Sequence, residues 1–163
     1  MTLSRGQVLG VVLALLAAGA VLALWPQQEP GVKDAITRRV LQMSDAAERK
    51  DMADLMDGVA ESFRSEQGWD KQQLKGVLLG QVLRGQWVRV FVKDLHVTEV
   101  SPSQGDVQVK LIFGRSEADT LENLARDSVL SAYLIEARFD KQADGVWRVV
   151  SAKNRNLSPG ELF

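Results

Sequence analysis

The sequence predicts an α+β fold: a curved antiparallel sheet with about three helices on its concave face, preceded by one transmembrane helix. Three observations predict it. An uncharged apolar run, Gly6 to Trp25, opens the chain. Apolar residues at helical spacing then dominate from Val32 to Gly85. Beyond Gln86 the pattern changes to long runs of alternating apolar residues separated by turn sequences.

The opening run is long enough, at ~1.5 Å rise per residue, to cross a hydrocarbon layer of ~30 Å. Trp25 stands where an interfacial aromatic belongs, and Pro26 stops the helix. Arg5 and the small residues Ala18-Gly19-Ala20 also fit a cleaved signal peptide. The apolar run continues past them through Val21 to Trp25, which favours an uncleaved anchor. Arg5 argues for a cytoplasmic N-terminus, whereas Lys33, Arg38 and Arg39 argue the other way. A short N-terminal anchor usually exports the domain attached to it, so the expectation is a single-pass membrane protein with a periplasmic domain. The organisation is then residues 1–25 as anchor, 26–32 as linker, 33–156 as the folded domain and 157–163 as a tail.

Ile36, Val40, Met43 and Ala47 make one stripe of a helix from Val32 to about Arg49. Asp51 reads as the N-cap of a short second helix that ends at Gly58. Val59 to Ser65 is too short for a helix and suits a brief strand. Asp70, with Gln73 three residues on, forms a capping box for the third helix. Leu74, Val77, Leu78 and Val82 are its expected buried stripe. Gly76 and Gly80 each cost about 1 kcal/mol relative to Ala in a helix; four residues apart, they line one side, where they would allow close approach to a sheet or another helix. Gly85 ends the helix.

Trp87 to Val100 is a strand whose alternation slips near Lys93-Asp94, which marks a β-bulge. Val107 to Phe113 and Tyr133 to Phe139 alternate on two further strands, and Val146 to Lys153 is the last. Arg115 to Ser128 interrupts the sheet with room for one helical turn.

The order of elements resembles that of the NTF2-like superfamily, including its SnoaL-like and ketosteroid-isomerase-like branches. The residues that carry the likeness are the stretch Asp54 to Leu78, "DLMDGVAESFRSEQGWDKQQLKGVL", and the last strand "DGVWRVVSAKNRN", Asp144 to Asn156. The resemblance implies a cone with an interior pocket. It also implies dimerisation through the exposed sheet face, where Arg89, Lys110, Glu136, Arg138 and Arg148 sit among apolar strand residues. Catalytic members hold a carboxylate or His inside the cone, often beside a Tyr, and no complete set of this kind aligns here.

The chemistry legible in the chain is sparse. Its 163 residues include no Cys and one His, which excludes disulfides, thiolate sites and His-ligand clusters. A formal net charge of −1, without a basic stripe, gives no ground for a nucleic-acid partner. Nothing points to a cofactor or a metal; Glu117, Asp119 and Glu122 read as solvated loop charges. Phe63, Phe113, Tyr133 and Trp147 are candidate walls of an apolar ligand pocket, with His96 as a fifth candidate. The competing assignment is that these rings simply fill the core. The function expected is a membrane-anchored, non-catalytic module that binds a protein partner or a small apolar ligand. The alternatives are an isomerase or hydratase acting on a lipid-like substrate, and an assembly subunit of an envelope complex.

Overall fold

The computed structural model describes residues 30–115 and 129–162. The expected membrane anchor and the interruption after Arg115 lie outside the described residues. Among the described residues no helix is long and apolar enough to cross a membrane.

Helix α1 (Val32–Glu48) buries Ile36, Val40, Ser44 and Ala46 along one side. Helix α2 (Met52–Asp57) begins at Asp51, whose side chain accepts from the Ala53 and Asp54 amides at 3.0 and 3.1 Å. These bonds satisfy donors that the first helical turn leaves without partners. Strand β1 (Val59–Ser65) comes directly after it. Gly58 between them is buried, and a Cβ there would run into the Met43 side chain, so the α2–β1 corner sits directly on α1. Helix α3 (Lys71–Arg84) starts at Asp70 with a complete capping box: Gln73 N donates to Asp70 Oδ1 at 2.9 Å, and Asp70 N to Gln73 Oε1 at 3.0 Å.

The remaining strands are β2 (Arg89–Ser101), β3 (Gln104–Gly114), β4 (Val129–Lys141) and β5 (Trp147–Asn156). The sheet order is β1-β5-β4-β3-β2. The expected antiparallel sheet is in fact mixed, because β1 lies parallel to β5. Chain order explains this. A strand that enters from α2 and leaves into α3 has no hairpin partner, so it takes the free edge of β5.

The sheet bends at its bulges. The predicted slip in β2 is present: the register shifts between Lys93 and His96, where Asp94 takes a positive φ of 50°. Two residues there face one on β3, and the side-chain phase changes. Val92 lies opposite Leu111 and Val97 opposite Val107 on the helix-covered face; His96 lies opposite Gln108 on the other.

The main core joins Ile36 and Val40 of α1 to Phe63, Val107, Val109, Phe139, Trp147 and Val149 of the sheet. A second, smaller cluster lies on the opposite face. The segment after β5, read from sequence as a tail, folds back there through a 3₁₀ turn at Pro159–Glu161. It buries Leu162 with Ile112 and Ala132. Lys93 and Lys110 donate to the Leu162 and Glu161 carbonyls at 2.7 and 3.0 Å.

Candidate functional site

Helix α3 determines what the cone encloses. None of its residues is fully buried, although Leu74 and Leu78 pack against the core and Leu79 and Val77 stay 43% and 39% exposed. The close approach that its two glycines would allow is not made. A Cβ on Gly76 would meet nothing within 4 Å, and one on Gly80 only the Arg84 guanidinium at 3.4 Å. The glycines therefore mark no close approach.

Between α3, the α1–α2 corner and the sheet lies a cavity of about 490 Å³. Leu74, Val77, Leu78 and Val82 form its helical wall, and Val109, Leu111, Phe113, Tyr133 and Ile135 its floor. The volume and the apolar lining are those of a small-molecule site. Serines, glutamines, Asn154 and Tyr133 supply its neutral polar groups and Lys50 its charge; Lys153 borders it but turns its ammonium to Glu136 on the other face of the sheet. No Asp, Glu or His is among the described residues that line it. Among the described residues, no group of His, Asp and Glu is placed to hold a metal ion.

The five residues singled out from sequence part company here. Phe63, Phe113 and Tyr133 line the cavity. Phe63 is 1% exposed at its base. Phe113 stacks edge-on against Tyr133, centroids 6.1 Å apart, and against Trp87 at 5.3 Å. Trp147 is not part of the wall; it is buried in the core beside Val149. His96 is on the other face of the sheet, exposed, with Nδ1–H donating to the Asp94 carbonyl at 2.9 Å. The bulge in β2 puts it there. Trp87, which sequence reasoning left out, belongs to the wall. Its position just after Gly85, ahead of the alternating run, hid it among strand residues.

The acids are used elsewhere. Asp57 accepts from Arg39 at 2.6 Å and from Arg148 at 3.2 Å, and Arg148 also donates to Asp144 at 2.7 Å. The Arg39 hydrogen bond, followed by that from Arg148, holds the Asp57 carboxyl below its ordinary value, so it stays ionised. His96 borders a broad polar recess on the exposed sheet face, about 790 Å³ in volume. Four of its charges are paired: Arg138 makes a bidentate pair with Asp106 at 2.7 and 3.0 Å, and Glu136 receives both Lys153 and Gln108. These donors lower the carboxyl pKa of Asp106 and Glu136, chiefly through Arg138 and Lys153 respectively.

No family model matches the chain, and no curated protein matches it in sequence. Solved structures match its architecture. A Nostoc punctiforme protein of unknown function with a cystatin-like fold superposes with a TM-score of 0.58 at 12% identity, over 77% of this chain and 90% of that one. The hexachlorocyclohexane dehydrochlorinase LinA-type3 of Novosphingobium barchaimii does so with 0.57 at 12%, over 77% and 86%. An NTF2-like protein from Rhodospirillum rubrum, described as of unknown function in nutrient uptake, gives 0.55 at 14%, over 76% and 98%. The chain thus has the NTF2-like, or cystatin-like, cone fold. That fold serves enzymes and proteins of unknown function alike, so the function has to be argued from the cavity.

Proposed function

We propose that this protein is a binding module whose cone takes a small apolar ligand, tethered to the membrane by residues 6–25. One observation carries the ligand reading: an apolar cavity of about 490 Å³ whose described walls hold no carboxylate or imidazole to move a proton. Tyr133 is the one phenol of the site, and no base among the described wall residues works with it. The uncharged run from Gly6 to Trp25 supports the tether. Anchoring at a bilayer concentrates the module near apolar molecules that partition there, and near partners on the same membrane.

Native mass spectrometry of the full chain, purified in mild detergent, tests this. A co-purified small molecule that is lost when Leu78→Trp fills the cavity agrees with it. Repeated absence of any bound mass, from several expression hosts, removes it. A C-terminal reporter fusion tests the topology, and a cytoplasmic signal would reverse the periplasmic placement.

A further inference from the structure

We propose that the cavity selects a single-chain amphiphile with an anionic head, the head being held at the rim by Lys50. This rests on the ligand-binding reading above and specifies its ligand class.

Two charged residues border the cavity among the described residues, and both are lysines. Lys153 stands in one row with Glu136, Gln108 and His96 and pairs with Glu136, so its ammonium lies on the other face of the sheet. Among the described residues, Lys50 has no carboxylate partner: its ammonium donates to the Gly85 carbonyl at 3.1 Å and sits 5.1 Å from the centroid of the Trp87 ring. The acids closest to it in sequence are engaged. Asp51 caps α2, Asp54 pairs with Arg49 at 3.2 Å, and Glu48 holds Arg89 and the Val90 amide at 3.2 and 2.8 Å.

The aromatic rings give the site its direction. Trp87 lies under the Lys50 ammonium and is pinned by its indole N–H, which donates to the Ala47 carbonyl at 3.1 Å. From Trp87 the edge-on stack runs through Phe113 to Tyr133, inside the cavity. A cation is thus fixed at one end of an apolar channel. An alkyl chain lying along Phe113, Leu111 and Leu78 would bring a carboxylate or phosphate to Lys50, where a charge-assisted hydrogen bond forms.

The backbone points to the same residue. Lys50 has a φ of 59° in the turn between α1 and α2, a conformation in which a non-glycine residue is strained. Glycine would sit there without strain, so Lys50→Gly removes the ammonium with little threat to the fold.

The test is photo-crosslinking of the full chain in lipid nanodiscs. Diazirine-bearing dodecanoate and dodecanol are the probes, and labelled peptides are mapped by mass spectrometry. Unlabelled dodecanoate, dodecyl phosphate and dodecanol compete, the first two separating a carboxylate from a phosphate head. The ratio of competing concentrations is compared between wild type and Lys50→Gly, which cancels each compound's partition into the bilayer. Wild type is expected to favour an anionic competitor over dodecanol by about tenfold relative to the Lys50→Gly protein. Lys50→Arg keeps the preference, and alkyl binding itself survives Lys50→Gly. Labelling of the Leu74–Arg84 and Leu111–Gly114 peptides with the same ratio in both proteins overturns the anionic head while the cavity reading stands. Absence of labelling on those peptides with either probe overturns both.

Discussion

Gly76→Ala and Gly80→Ala, singly and together, show by the sign of their effect whether the glycine side of α3, which faces away from the cavity wall, is open or seated on a neighbour. Alanine in a helix is favoured over glycine by about 1 kcal/mol. That gain is kept only where the new methyl group has room. A Cβ on Gly76 meets nothing within 4 Å, and one on Gly80 touches only the flexible end of the Arg84 side chain at 3.4 Å. Each substitution should therefore stabilise α3 by about 0.5–1 kcal/mol, and the pair by about 1–2 kcal/mol. Had the glycines let α3 close onto the sheet, the same methyl groups would overpack the contact and destabilise by about 1–3 kcal/mol. Hydrogen exchange of the α3 amides reads the difference locally, and 1 kcal/mol corresponds to about fivefold slower exchange. Slower exchange throughout Lys71–Arg84 in the double variant is the expected result. Faster exchange there, with a lower unfolding midpoint, would overturn this, because it would mean that the glycine side of α3 is seated on a neighbour.

Three further outcomes are expected from the same geometry. Phe63→Ala should cost about 3–5 kcal/mol in urea unfolding, since the ring is 1% exposed at the junction of cavity and core. Asp70→Ala removes both bonds of the capping box and should speed exchange in the first turn of α3, at a cost of about 1 kcal/mol. Glu161 is drawn from its ordinary 4.5 down to about 2, by the Ser158 amide first, then by the Ser158 hydroxyl and Arg155. A carboxyl with a depressed folded-state pKa stabilises above its unfolded value and loses that contribution as pH falls. The C-terminal turn should accordingly loosen between about pH 4.5 and pH 2, seen as faster exchange of the Leu157 and Leu162 amides, and Glu161→Gln should abolish that pH step.

Much of the fold is readable in the chain because its signals are local. Asp51 and Asp70 cap helices through bonds made within three residues, and the slip at Lys93-Asp94 is visible as a break in alternation. What was not readable depends on distant partners. The parallel pairing of β1 with β5 joins Val59 to Val149, and no nearby residue encodes it. The C-terminal turn sets only Leu157 and Leu162 on the second cluster, too few positions for a periodic signal. The stripe Leu74, Val77, Leu78, Val82 has the same spacing whether it meets a sheet or a void, so the sequence pattern could not distinguish core from cavity. For the same reason the aromatic candidates divided: Phe63, Phe113 and Tyr133 face the cavity, while Trp147 fills the core. His96 turned on the phase of β2 beyond its bulge.

Everything functional depends on the space between α3 and the sheet. Apolar cavities of this kind take up xenon, which needs no polar partner and enters only where atoms leave room. Crystals of the protein pressurised with xenon should show anomalous density between Leu78 and the rings of Phe113 and Tyr133. Crystals without a xenon site there, and with Leu74 and Leu78 packed onto Val109 and Leu111, would contradict the account.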